Sequence, residues 1–345
     1  MDAPYKPLLL ITGASGHLGF RVLVLALQAG YRARIALRKP EQAERIKNSP
    51  SARPYTADIE AVQVPDVIAT GAYDEAVKGV QHIIHIASPM PTKLEHQKED
   101  WQELYFEPAT KGTLSILAAA AKSPSVKTVI ITSSVGILRV PESKDRAGPN
   151  DLIPRPSVEA ASKLETPGEA YIMSKVLAHH AGTEFVSQNE VGYSLIRILP
   201  GLIQGPHELA QNVGDLFASS SIGTLNAMLG HPTRAANSQV LLDDAARAHV
   251  LALDPEKGRN GDVIIVVGND GNCTAWDVYA RNAAKFFPRE VESGLFKPGT
   301  VGKVEQSLKK YEVASSEEVL GFKFAGLDEM ARGVLEQYLE LRRQS

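Results

Sequence analysis

Cysteine is almost missing from this chain, with one residue, Cys273, among 345. A lone thiol excludes an internal disulfide and a thiolate metal cluster, which suits a reducing compartment. No uninterrupted apolar run reaches the roughly 18 residues that a membrane span requires. Charge of one sign is also missing. The balance of 37 Lys and Arg against 40 Asp and Glu leaves a formal net charge of −3, too weak a field to hold nucleic acid or an anionic membrane. Met1 to Pro7 lacks the basic segment, apolar segment and small-residue cleavage site of a leader. The expectation is a cytoplasmic protein without nucleic-acid, membrane or metal partners, its oligomeric state left open. No repeat or low-complexity linker divides the chain, and its hydrophobic content of 43% is enough to bury one large core or two coupled ones.

What is present is an alternation of short apolar runs with helical patterns over the first two hundred residues. Strands are predicted at Leu8 to Ile11, Arg32 to Leu37, Ala61 to Val64, His82 to Ile86, Thr128 to Thr132 and Gly192 to Ile198. Helices are predicted from Phe20 to about Gly30, and over Glu41 to Asn48, Trp101 to Lys122 and Ala170 to Asn189. This order predicts an α/β fold, a Rossmann-type doubly wound parallel sheet with a smaller C-terminal substrate lobe. Residues 1–200 form the nucleotide domain, with an insertion at 137–168 near the substrate. Residues 201–345 form the covering lobe, with some segments returning to the first core. Within that lobe a strand is predicted at Val263 to Val267 and helices at Thr274 to Phe286 and Leu327 to Arg342.

Between the first strand and first helix lies Thr12-Gly-Ala-Ser-Gly-His-Leu-Gly19. Glycines there permit a tight turn, close approach of backbone to a pyrophosphate and close helix–strand packing. The free N–H groups of the helix start then face the phosphates. Gly13, Ser15, Gly16, His17, Leu18 and Gly19 are the candidate phosphate contacts. The second strand ends in Leu37-Arg38-Lys39, with no acid from Arg34 to Lys39 to hold a ribose 2′-hydroxyl. A guanidinium pairs bidentately with a 2′-phosphate. Arg38, assisted by Lys39, therefore points to NADP(H).

Tyr171 and Lys175 are four residues apart on a predicted helix and so share a face. A phenol titrates near 10 in water, and a neighbouring ammonium is expected to lower that value toward use in proton transfer. Lys175 could also hold the nicotinamide ribose. The fifth strand ends in Ser133-Ser134, where a hydroxyl can hydrogen-bond a substrate carbonyl oxygen. Alone, each signal has a plain structural reading. Their order and spacing together make a reductase site.

These motifs resemble the extended short-chain dehydrogenase/reductases, most closely the dihydroflavonol-reductase-like group that includes methylglyoxal and isovaleraldehyde reductases. The likeness rests on Thr12 to Gly19, Ala36 to Arg38, Pro65 to Val67, His85 to Pro89, Pro108 to Thr113, Ile131 to Ser134 and Ala170 to Lys175. It continues at Leu199 to Pro206, Leu242 to His249 and Leu320 to Phe324, so it runs nearly end to end. The resemblance implies Ser134, Tyr171 and Lys175 as the catalytic set, with Ser134 rather than Ser133 on the carbonyl. It further implies Asp66 and Val67 at the adenine, Ala87 and Ser88 along the cofactor crevice, and Pro200 and Ile203 around the nicotinamide. The chain has Lys111 where the family often has Asn, so a water relay behind the lysine would differ here or be absent.

Other signals carry less. His179 and His180 are adjacent on a helix, point apart and read as a solvated face rather than a metal site. His82 and His85 fall on opposite faces of a strand. Asp243-Asp244 reads as an N-cap, and Glu99, Asp100 and Glu103 as acids at a helix start. A nucleotide-sugar epimerase or dehydratase would need several cations for a diphosphate, yet Gly201 to Val250 offers only Arg234 and Arg247 and no lysine. A non-catalytic NADP sensor would have no reason to keep Ser134, Tyr171 and Lys175 together. The expected substrate is a small neutral carbonyl compound, met by apolar segments at Val135 to Val140 and Leu202 to Gly230 with polar contacts from Gln204, His207 and Asn226. Methylglyoxal-like aldehydes, β-keto esters, flavonoid-like ketones and polyketide intermediates all fit, as does a role in secondary metabolism.

Overall fold

The computed structural model describes residues 6–88, 100–157, 160, 163–231, 236–298 and 309–344. Pro89, Glu99 and Arg234 lie outside them. The chain divides into two compact units. The first comprises 1–139, 152–198 and 249–264, and the second 140–151, 199–248 and 265–345. Of the 137–168 insertion, then, only 140–151 leaves the first unit.

The frame is a seven-stranded sheet built of β1 (Leu8–Thr12), β2 (Arg32–Leu37), β3 (Ile59–Gln63), β4 (His82–His85), β5 (Thr128–Thr132), β6 (Ser194–Pro200) and, later in the chain, β10 (Val263–Val266). The strand order is β10-β6-β5-β4-β1-β2-β3. Pairing is parallel from β3 to β6. The bonds from Gly261 N–H to the Leu195 carbonyl and from Arg197 N–H to the Asp262 carbonyl advance in the same sense toward β10. The order reverses between β1 and β4, and at such a switch point a crevice opens outside the strand ends. All five residues of β1 and all five of β5 are buried, because helices cover both faces; these strands therefore read as continuous apolar runs rather than alternations.

Helix α1 (His17–Gln28) buries seven apolar side chains, Leu18, Phe20, Val22, Leu23, Val24, Ala26 and Leu27. It is followed by α2 (Glu41–Lys47), α3 (Glu107–Ala121) and α4 (Pro167–Gln188). The helix expected from Trp101 differs at its start, because Gln102–Phe106 forms a π-helical turn. Pro108 lacks the N–H that would bond the carbonyl four residues back, so the regular ladder cannot pass through this point. The wider turn sends Tyr105 and Phe106 into a cluster with Trp101 and Ala170, and Tyr171 packs against that cluster. Helix α4 starts three residues earlier than its periodicity suggests. Thr166 and Glu169 form a reciprocal capping box there, with Pro167 in the first turn.

The second unit holds β7 (Leu202–Gln204), α5 (Val213–Phe217), α6 (Ile222–Leu229), β8 (Ala236–Asn237), β9 (Gln239–Leu241) and α7 (Leu242–Leu251), whose last residues belong to the first unit. It continues through β11 (Thr274–Ala275), α8 (Trp276–Ala284), α9 (Pro288–Glu292), α10 (Ala314–Leu320) and α11 (Leu327–Gln344). Two expectations are corrected here. Thr274 and Ala275 pair with β8, so the helix expected from Thr274 begins at Trp276. Asp243 and Asp244 lie within the first turn of α7 rather than ahead of it. Asp244 is buried, and its carboxylate accepts the Ala325 N–H at 2.6 Å.

The core of this unit gathers around Trp276 and Tyr279, with Phe287, Phe296 and the inner stripe of α11, Val334, Leu335, Tyr338 and Leu341. Gly223 is required beneath Trp276, since a Cβ there would collide with the indole ring. Trp276 is 1% exposed, so Trp276→Ala should cost about 3–5 kcal/mol. Urea denaturation checks this, and a loss below about 1 kcal/mol would contradict the packing described.

Candidate active site

Three strand ends and one helix build the site. At the end of β1 the chain turns through Gly13 at φ +78°, where a Cβ would come within 2.9 Å of the Ala87 nitrogen. A Cβ on Gly19 would collide with the Gly13 carbonyl. Gly16 donates its N–H to the Gly13 carbonyl at 3.0 Å and stands at the N-cap of α1 with no side-chain cap. The cradle is therefore shaped by backbone alone, at the N-terminus of a helix, the end that favours an anion. Leu18 anchors the helix in the core, while Ser15 and His17 are partly exposed beside the loop.

Thr12, just before the glycines, was not singled out from the sequence. Its hydroxyl oxygen accepts the N–H groups of Ile86 and Ala87, each at 3.1 Å, and it lies 2.9 Å from Nδ1 of His85. One short side chain thus ties the glycine loop to the end of β4, where Ala87 and Ser88 are half-buried. Gln42 was likewise missed. It donates to the Ser15 hydroxyl at 3.2 Å and accepts the Lys39 N–H at 3.2 Å, linking the loop to the end of β2. Both residues bridge segments distant in the chain, which periodicity and motif spacing do not register.

The basic residues of β2 divide by role. Arg34 is held by Glu60 and by the carbonyls of Ala76 and Lys78, and Arg32 also lies near Glu60. Arg38 and Lys39 are exposed at the strand end, and the Arg38 guanidinium has no ion-pair partner among the described residues. Asp66 is exposed and accepts the Ile68 N–H at 3.0 Å, shaping the turn after β3. Val67 is half-buried and faces Gly112 on α3. A glycine cradle at a helix N-terminus and an exposed guanidinium at the end of β2 fit a dinucleotide carrying a 2′-phosphate.

Ser134 follows β5 in extended conformation, and its oxygen accepts the Gly136 N–H at 3.1 Å. That leaves its hydroxyl hydrogen for another acceptor. Ser133 is buried, with its N–H on the Ile198 carbonyl. On α4, the Lys175 ammonium donates to the Thr132 carbonyl at 3.1 Å and lies 5.8 Å from the centre of the Tyr171 ring. One correction concerns the phenol. Burial pushes Tyr171 up to about 12, and the influence that opposes this is a hydrogen bond with Ser134. Lys175 does not lower it as expected, because the ammonium is turned to the Thr132 carbonyl. Burial brings Lys175 itself down to about 8. The arrangement can hold a proton on Tyr171 beside the Ser134 hydroxyl, which is chemistry for delivering a proton to a developing alkoxide.

Other expectations are redrawn. Lys111 pairs with Glu107 one turn away and is exposed, so it supplies nothing behind Lys175. His179 is not on a solvated face: it is 8% exposed, while His180 bonds the Ile153 carbonyl at 2.9 Å. No group of three or more metal-ligating side chains occurs among the described residues. No helix among them is long and apolar enough to cross a membrane. Within the second unit, Pro200 closes β6, and Ile203 in β7 pairs with Val240. Gln204 is fully buried, its amide donating to the Ser220 carbonyl and accepting from Thr224. It is therefore a packing residue rather than a substrate contact.

The sequence model of the NAD dependent epimerase/dehydratase family matches residues 9–268. The chain is 32% identical to the NAD-dependent epimerase/dehydratase ALT6 of Alternaria alternata, over 95% of this chain and 96% of that protein. It is 29% identical to the ketoreductase CTB6 of Cercospora beticola, over 97% of this chain and 95% of that protein. Among solved structures, Gre2 of Candida albicans in complex with NADPH matches with a TM-score of 0.82 and 22% identity, covering 97% of this chain and 99% of that one. This last likeness shows the fold.

Burial of Lys175 has a consequence for stability. Below pH 8 the ammonium is charged in both folded and unfolded chains, and its desolvation penalty is fully present. Between about 8 and the ordinary value of 10.5 only the unfolded chain holds the proton, so the penalty is relieved as pH rises. The wild type should therefore gain stability relative to Lys175→Met over this window. Urea denaturation of both proteins at about pH 7 and about pH 10 measures it, and the opposite trend would contradict the burial.

Proposed function

The chain belongs to the NAD dependent epimerase/dehydratase family, the extended short-chain dehydrogenase/reductases, and from that premise we propose that it is an NADPH-dependent reductase of small neutral aldehydes or ketones. The observation that carries this reading is the Ser134, Tyr171 and Lys175 group at the end of β5, with Tyr171 holding its proton. Relatives named as ketoreductases over nearly their whole length support the reaction class.

In this reading the loop from Gly13 to Gly19 holds the pyrophosphate, with Ser15, Gly16, His17 and Leu18 presenting backbone at the helix start. Arg38 and Lys39 take the 2′-phosphate, Asp66 and Val67 flank the adenine, and Ala87 and Ser88 border the nicotinamide ribose, to which Lys175 donates. NADP(H), when bound, supplies hydride to the carbonyl carbon. With substrate bound, Ser134 turns its hydroxyl hydrogen from Tyr171 to the carbonyl oxygen and orients it. Tyr171 gives its phenolic proton to that oxygen as negative charge develops. The phenolate that remains is stabilised by the returning hydrogen bond from Ser134.

Two measurements test this. Loss of NADPH absorbance against a panel of neutral aldehydes and ketones should show turnover that falls about 10²–10⁴-fold in Tyr171→Phe with cofactor affinity kept. Near-normal turnover in that variant would remove Tyr171 from the chemistry. Cofactor choice is read from Arg38→Ala. Loss of a charge-assisted bidentate pair should raise KM for NADPH about 10- to 100-fold and leave NADH nearly unchanged. Equal efficiency of the wild type with both cofactors would sink the assignment of Arg38.

A further inference from the structure

Behind Lys175 the first unit holds a small cavity that touches Ala87 and Ser88 at one end and reaches inward past the proposed cofactor crevice to Arg197, whose guanidinium the proposed chemistry does not use. Its floor is one row of the sheet, His85, Ile131 and Arg197, which stand side by side in the register of β4, β5 and β6. In a parallel sheet, residues in register point to the same face. Its roof is a stripe of α4, Lys175, Ala178, His179 and Gly182, and Ala109 and Thr113 of α3 close the side. These positions recur at helical spacing, and the alanines and glycine keep the space open. The cavity offers about 20 Å³ to the centre of a water-sized sphere, room for one or two waters or one monatomic ion.

We propose that this chamber binds one small inorganic anion of the halide class. Its lining carries hydrogen-bond donors and no carboxylate. Arg197 is 8% exposed, and its guanidinium makes one side-chain bond, to the Thr183 hydroxyl at 2.8 Å. No acid pairs with it among the described residues. A buried guanidinium without a counter-charge is costly, and several of its donors remain unspent. Lys175 adds a second cation, with one of its three hydrogens on the Thr132 carbonyl.

His85 adds a third donor. The Thr12 oxygen already accepts two N–H groups, so its own hydrogen goes to Nδ1 of His85. His85 is therefore the neutral tautomer with its proton on Nε2, consistent with a titration lowered to about 3 by burial and by Lys175. His179 also lines the cavity and has a buried Nδ1 with no hydrogen-bond partner among the described residues. A single anion would satisfy these donors and return to Arg197 and Lys175 part of the solvation that burial removed. Sulfate and gluconate are too large for the space.

The test is thermal unfolding of the full-length, cofactor-free protein in chloride, bromide and gluconate salts at equal ionic strength. Chloride and bromide should raise Tm by about 2–4 °C over gluconate, and Arg197→Gln should lose that response. Bromide-soaked crystals of the wild type should give an anomalous peak between Arg197 and Lys175. That arm decides the matter even if the variant does not fold. Equal melting in all three salts, a halide response retained by Arg197→Gln, or no bromide peak would each overturn the proposal. None of these readouts depends on turnover, so the site stands or falls separately from the reductase reading.

Discussion

The hydrogen bond from the Lys175 ammonium to the Thr132 carbonyl, 3.1 Å long, joins the two elements on which the site depends. One end belongs to the helix that carries Tyr171, and the other to the strand that runs into Ser134. The carbonyl lies at the last residue of a parallel strand, where the sheet has no further N–H to offer it. The ammonium is buried and needs an acceptor. Each group satisfies the other, and the result fixes helix α4 against the strand end. Tyr171 is then placed by the aromatic cluster under it, which exists because Pro108 forces a π-helical turn ahead of α3.

Thr12 plays a comparable part on the cofactor side. It takes two backbone N–H groups and the His85 ring, so the glycine loop, the end of β4 and the polar interior share one hydroxyl. Because all of these strands run parallel, their carboxyl ends bring Gly13, Arg38, Ala87 and Ser134 to a single edge. Nothing beyond strand direction is needed to gather residues more than a hundred positions apart in the chain.

Much of this was legible in the sequence. The apolar runs of β1, β2 and β5, the glycine loop and the four-residue spacing of Tyr171 and Lys175 are local patterns, and local patterns survive folding. What stayed hidden depends on long-range partners. His179 and His180 read as a solvated face because adjacent helical residues diverge and no further ligand cluster is evident, yet the helix buries the first of the pair near Arg197 of β6. Arg34 and Arg38 look alike in sequence; Glu60, from the next strand, engages the first, while the second is exposed at the strand end. Gln204 resembled a pocket residue until Ser220 and Thr224 took up its amide. The raised Tyr171 also required the fold, since desolvation is a property of the surroundings and not of the Tyr–Lys spacing.

The central claim is that one edge of the sheet joins a 2′-phosphate site at Arg38 to a proton donor at Tyr171 through a single bound dinucleotide. The most direct measurement is a crystal structure of the NADPH complex. The account predicts the 2′-phosphate on the Arg38 guanidinium, the pyrophosphate over Gly13 to Gly19, and the nicotinamide ribose within hydrogen-bond reach of Lys175, with the ring beside the Tyr171 hydroxyl. A dinucleotide bound with its nicotinamide away from Tyr171 and Lys175, or with Arg38 turned from the 2′-phosphate, would contradict it.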